Sequence, residues 1–143
     1  MILPNIRINL TAPIEILGMN CLERNRYITE FMNNHFLGRS YYCPALGCNV
    51  VVTKKSIHET ATHASKSVAS TIAVINLPKI ISSATFVKTD KPKIGTQRNR
   101  FKAVRMYTLE ASISTFGIIK LTIAKTRTRI RVEYCITAKR KEY

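Results

Sequence analysis

Apolar residues along this chain keep two periods. From Ser56 to Ala84 they return at helical spacing, and from Thr85 onward they alternate with polar residues as strands do. Ahead of both, "NIRINL" and "PIEIL" alternate like short strands, with Pro4 and Pro13 suited to edges or turns. "NCLERNRYITEFMNNHF" predicts a helix capped by Asn20, with a rough apolar stripe of Leu22, Tyr27 or Arg26, Phe31 and Met32. "GRSYYCPALGCNVVVT" predicts a strand, a turn bearing Pro44 and Gly47, and a second strand ending in the Val50–Val52 run.

The helical stretch opens on Ser56-x-x-Glu59, the pattern of a capping box in which serine and glutamate each satisfy a free backbone N–H. Ile57, Ala61 and Ala64 then share one helix face. Ser67 is placed to cap a second helix, whose Val68, Ile72 and Ile75 form another apolar stripe. Asn76-Leu-Pro78 restarts the chain, because proline is tolerated in the first turn of a helix.

The remainder predicts an antiparallel sheet. "TFVK" is a short strand, and a polar, lysine- and arginine-rich loop runs from Lys88 to Arg100 with Asp90 as its acid. Phe101, Ala103, Tyr107, Leu109 and Ile113 favour one face of a long strand, and Thr115-Phe-Gly117 turns into "IIKLTIA". In the last strand Ile130, Val132, Tyr134 and Ile136 alternate with Arg131, Glu133, Cys135 and Thr137. Alternation of this kind predicts one sheet face against the helices and one uncovered. The expected fold is therefore α+β: helices packed on one face of a roughly four-stranded antiparallel sheet. The expected boundaries are a small N-terminal extension over residues 1–36 and the α+β domain over 37–143.

Charge sharpens this picture. The formal net charge is +15 over 143 residues, and residues 51–143 hold 19 Lys/Arg against five Asp/Glu. Such a field gathers polyanions, since neutralised phosphates release condensed counterions. An acidic partner protein or an anionic surface would answer the same charge. With 45% hydrophobic residues the chain can bury a core without crosslinks. Cys21, Cys43, Cys48 and Cys135 show no disulfide framework. Cys43, Cys48, His58 and His63 read C-x4-C-x9-H-x4-H, near a zinc spacing, yet five positions set the histidines about 140° apart on a helix. No metal and no other cofactor is expected. The opening residues make a poor signal peptide, and no apolar run is long enough to span a membrane. A cytoplasmic location in a bacterial host is expected, with delivery into another cell or carriage in a virion as variants, and no membrane partner.

A cationic sheet with histidines beside it suits RNA cleavage without a metal. A base frees the 2′-hydroxyl to attack the neighbouring phosphate, an acid protonates the departing 5′ oxygen, and cations hold the charge that develops. His58 and His63 are the candidates for acid and base. Lys66 and Arg105 would clamp the phosphate and Thr137 would orient it. Lys91, Lys93, Arg98, Arg100, Lys102, Arg105, Lys120 and Arg131 are the candidate nucleic-acid contacts. Tyr134 could stack on a base, although its place in the alternation puts it in the core. Each of these residues also has an ordinary structural explanation: solvated cations, caps, strand formers. Composition supports binding nucleic acid more directly than cutting it.

The segments "VTKKSIHETATHASKS", "NLPKII", "KPKIGTQRNRF", "GIIKLTIA" and "YCITA" together resemble small domains of bacteroidete genomes, phages and other mobile elements. These belong to the barnase–EndoU–colicin–RelE-like ribonuclease group, found in polymorphic toxins and large polyvalent phage proteins. The resemblance covers roughly residues 37–140. It implies helices packed on a four-stranded antiparallel sheet, metal-independent endoribonuclease activity through a 2′,3′-cyclic phosphate, and RNA as target, often tRNA. A toxin of this kind would have an acidic inhibitor protein as partner. The site residues carried over are His58, His63, Lys66 and Thr137. The rival readings are a non-catalytic nucleic-acid-binding accessory protein of a phage and a structural protein that meets packaged DNA.

Overall fold

The structure, a computed structural model, describes residues 13–90, 103–113, 117–126 and 130–137. A 3-10 helix, Ile14–Gly18, comes first and buries Ile16. The expected "PIEIL" strand is thus a helical turn: Pro13 supplies a fixed φ ahead of it, and Ile16 turns inward. "NIRINL" lies outside the described residues.

Helix α1 spans Cys21–His35. Asn20 caps it in a full capping box, its side chain accepting from the Glu23 N–H at 2.8 Å while Glu23 accepts from the Asn20 N–H at 3.0 Å. Its inward residues are Ile28 and Met32, four apart as one helix face requires. Leu22 belongs to the first turn but is 61% exposed, so the expected stripe starts one turn later. Strands β1, Ser40–Cys43, and β2, Cys48–Val51, form the expected antiparallel hairpin.

Helix α2, Lys54–Ala64, starts earlier than its sequence pattern suggests. Thr53 is the cap, accepting from the Ser56 N–H, and the Ser56 hydroxyl accepts from the Thr53 N–H, both at 3.1 Å. Two capping patterns compete here, and the one that buries the Ser56 hydroxyl completely wins. Ile57, Ala61 and Ala64 are buried as expected. Helix α3, Val68–Ile75, is capped by Ser67, and helix α4, Leu77–Ser83, carries Pro78 in its first turn. Of the α3 stripe only Ile72 is fully inside, while Val68 and Ile75 are half-buried.

Four strands complete the chain: β3, Thr85–Asp90; β4, Ala103–Ile113; β5, Gly117–Thr126; and β6, Ile130–Thr137. They form the antiparallel meander that the alternation predicts. Gly117 enters β5 at φ 91°, a conformation that suits glycine at the hairpin. The sheet has six strands rather than four, in the order β1-β2-β6-β5-β4-β3, because β2 joins β6 in parallel with Val51 opposite Arg131.

The core lies between the helices and one sheet face. Ile28, Met32, Ile57, Ala61, Leu77, Ile80 and Ile81 pack with Leu109, Ile119, Leu121 and Ile123. Fully burying an aliphatic side chain of this kind is worth roughly 1.5–3 kcal/mol. The expected boundary after residue 36 falls between α1 and β1, and α1 contributes Ile28 and Met32 to the same core as the sheet. Arg24 ties the helix layer together, donating from Nε to the Ser65 carbonyl at 2.7 Å and from Nη1 to the Met19 carbonyl at 2.6 Å. Among the described residues no helix is long and apolar enough to cross a membrane.

Candidate nucleic-acid interface

Register decides which residues share a sheet face, because directly opposed positions in an antiparallel pair lie on the same side. Leu109 opposite Leu121 and Ala111 opposite Ile119 mark the helix-covered face. Thr108 opposite Thr122 and Glu110 opposite Lys120 mark the second face.

That second face is not the uncovered, cationic surface that the alternation suggested. Thr108, Thr122 and Ala124 are only 9, 6 and 0% exposed. Half-buried Lys120 stands opposite half-buried Glu110, and Lys88 pairs with Asp90 at 3.3 Å. Positive and negative charges therefore alternate across its described positions.

A bulge in β6 revises the last strand. The pairing steps from Thr122–Tyr134 to Ile123–Val132, so Glu133 is the extra residue and the alternation changes phase there. Position 137 falls opposite Ile119 and position 135 opposite Leu121, in the helix-covered row. Positions 131, 134 and 136 fall opposite Ala124, Thr122 and Lys120, in the row of the second face. By register, position 137 thus falls in the other row from positions 120 and 131, and position 134 in the same row as Thr122. A single-residue insertion inverts a period-two pattern, and nothing in "RIRVEYCITA" announces it.

The histidines sit elsewhere. Helix α2 turns Ile57, Ala61 and Ala64 to the core. His58 is exposed on its solvent side, across the sheet from the face that holds Thr108 and Thr122. His63 is half-buried, with Nε2 3.6 Å from the Glu59 carboxylate one turn earlier. The neighbouring hydroxyls have structural duties: Ser67 caps α3 and Ser65 is buried beside Arg24. Lys66 is exposed in the turn between α2 and α3. His58, His63 and Lys66 thus lie together on one short stretch of the helix layer, across the sheet from Lys120. Lys91, Lys93, Arg98, Arg100 and Lys102 lie outside the described residues.

The clearest exposed cationic feature is at one end of the sheet. Arg105 on β4 stands directly opposite Lys125 on β5, and both are exposed. Among the described residues no carboxylate lies within ion-pair distance of either. The end of β3, the start of β4, the end of β5 and the start of β6 share this end, as the pairs Asp90–Met106, Ala103–Thr126 and Lys125–Ile130 show. Arg105 is a candidate from the sequence alone, whereas "KTRT" predicts a turn at Lys125, which the structure instead places in β5. The sign of their opposition is the register, which no single strand reveals. Like charges directly opposed across a sheet are locally unfavourable. A phosphate held between them converts that repulsion into two charge-assisted hydrogen bonds.

Two other clusters are weaker. Asn25, Arg26, Thr29, Glu30, Asn33 and Asn34 line a shallow trough of about 450 Å³ along the polar face of α1. Among the described residues no three His, Cys, Asp or Glu side chains converge as a metal site would need, so the Cys43–Cys48–His58–His63 spacing does not become a cluster.

The family model described as large polyvalent protein-associated domain 3 matches residues 20–129, well over half of the chain. The match includes α1, which the resemblance noted above left outside. Comparison with curated proteins and with solved structures gave no match.

Proposed function

The chain belongs to the large polyvalent protein-associated domain 3 family, whose members accompany the large polyvalent proteins of mobile elements, and on that premise we propose that it binds nucleic acid, with RNA as its target. The observation that carries this reading is the exposed Arg105–Lys125 pair, two cations opposed across β4 and β5 on a chain of net charge +15. The pair supplies two phosphate contacts at fixed spacing on a rigid sheet, and the basic C-terminal two-thirds supplies the field that brings the polymer in. Fluorescence anisotropy with a labelled single-stranded RNA in EDTA tests it. Binding that weakens steeply as salt rises supports the reading, and no binding at low salt defeats it.

One observation favours a second, catalytic reading. Helices followed by an antiparallel β3–β6 meander is the arrangement that resemblance to the metal-independent ribonucleases implies. Fold alone does not carry chemistry, so this reading needs its own acid and base. Exposed His58 is available to solvent and substrate, with His63 held near Glu59 and Lys66 one turn beyond. In this reading His58 or His63 takes the 2′-hydroxyl proton, the other protonates the leaving 5′ oxygen, and Lys66 steadies the phosphorane. Such an enzyme would be toxin-like and would act in the cytoplasm, checked by an acidic inhibitor protein. Incubation of RNA with the chain in EDTA decides the matter: cleavage to 2′,3′-cyclic phosphate ends that His58→Ala or His63→Ala abolishes supports it. Intact RNA at concentrations that saturate binding leaves a binding module.

A further inference from the structure

Cys43 and Cys48 close the β1–β2 hairpin as directly opposed partners, with Pro44, Ala45, Leu46 and Gly47 as the turn between them. The Cys43 carbonyl accepts from the Leu46 N–H at 3.1 Å and from the Gly47 N–H at 2.9 Å, and Gly47 takes a positive φ of 67° that tightens the loop. Opposed positions in an antiparallel pair have Cα atoms roughly 4.5–5.5 Å apart, and a disulfide accepts about 4.4–6.8 Å. Both side chains lie on the same face, in the row that holds half-buried Tyr41 and buried Val50, and both thiols are free. The two differ in access: Cys43 is fully buried and Cys48 is half-exposed. This is the arrangement of an attacking thiol at the surface with a resolving thiol beneath it. Burial pushes the Cys43 thiol above its ordinary pKa, and an N–H of Leu46 directed at it works in the opposite sense.

We propose that Cys43 and Cys48 form a redox-active dithiol that a low-molecular-weight disulfide, such as oxidised glutathione, converts to an intrachain disulfide across the turn. The Cys48 thiolate attacks one sulfur of the small disulfide, forming a mixed disulfide and expelling one small thiolate, which takes up a proton. The Cys43 sulfur, as it loses its proton, then attacks the Cys48 sulfur, forming the Cys43–Cys48 bond and expelling the second small thiol. The protein loses two hydrogens and two electrons, and one molecule of small disulfide becomes two thiols. The closed form pins β1 to β2, the strand through which the hairpin joins β6.

The test is titration of the native full chain with defined ratios of reduced to oxidised glutathione, read by intact mass and by non-reducing peptide mapping. The expected result is loss of two hydrogens with a peptide linking Cys43 to Cys48, retained in a variant with Cys21→Ala and Cys135→Ala. In Cys43→Ser the second step is blocked, so glutathione should accumulate on Cys48 by roughly tenfold or more over wild type. Cys48→Ser should neither close the bond nor trap the adduct on this hairpin. Should the hairpin variants fold poorly, wild-type chain alone decides: a Cys43–Cys48 link formed under native conditions and reversed by reduced glutathione supports the proposal. A native chain that gives only separate adducts, or forms the link only in denaturant, overturns it.

Discussion

Arg105 and Lys125 face each other across the β4–β5 pair, two exposed positive charges at the end of the sheet where four strands begin or finish. Their mutual repulsion is a standing local cost, on the order of a few tenths of a kcal/mol, since exposed pairs are screened. Lys125→Glu should remove that cost and raise the urea midpoint slightly at low salt, by an amount equivalent to roughly 0.2–1 kcal/mol. The same substitution should weaken RNA binding. A variant both more stable and less able to bind would mark the pair as kept for its ligand rather than for the fold.

The cap of α2 makes a second prediction. Thr53→Ala removes the acceptor for the Ser56 N–H and should cost about 1 kcal/mol in chemical denaturation. Glu59→Gln, which would matter more if Ser56 were the cap, should change stability by only about 0.5 kcal/mol or less, because Glu59 meets a partly exposed His63.

Arg24 should prove more costly to lose than any surface cation. Its guanidinium reaches two backbone carbonyls, that of Met19 just ahead of α1 and that of Ser65 at the end of α2. Hydrogen bonds from a charged group are worth about 1.5–3 kcal/mol. Arg24→Met should destabilise the chain by that order, and Arg24→Lys should recover only part, since an ammonium cannot copy the planar fork. Thermal denaturation of the three proteins side by side gives the ranking.

Burial of the Cys43 thiol predicts a pH dependence. Because its pKa is raised in the folded chain, the unfolded chain loses this proton first as pH rises through the ordinary thiol range of about 8.5. Over that window the unfolded state binds fewer protons, so stability falls with rising pH, and below it the contribution is complete. Under reducing conditions, the drop in urea midpoint between about pH 7.5 and 9.5 should be smaller in Cys43→Ala than in wild type.

Much of this fold was legible in the chain. Asn20 with Glu23, Ser67, and Pro78 after Asn76 all do what their types and spacing suggest, because capping and proline geometry are local. The alternation of Leu121 and Ile123 with Lys120 and Thr122 likewise gave the correct face. What the sequence hid was not local. The extra residue at position 133 is defined only by the partner strand, and it moves position 137 from the row of the second face to the helix-covered one. The parallel step from Val51 to Arg131, which enlarges the sheet to six strands, joins segments eighty residues apart. The opposition of Lys125 to Arg105 is likewise a property of two paired strands and not of either alone. The Ser56 hydroxyl does serve a capping box, as its type suggests, but that of a helix that begins a turn earlier.

The most direct test is the salt dependence of RNA binding by the wild-type chain and by the Arg105→Ala, Lys125→Ala double variant, in EDTA. Each phosphate contact to a single strand contributes about 0.7 to the slope of log affinity against log salt. If this end of the sheet is the interface, the double variant should bind more weakly at every salt concentration, with a slope shallower by about 1.4. Affinity and slope both unchanged would contradict the account.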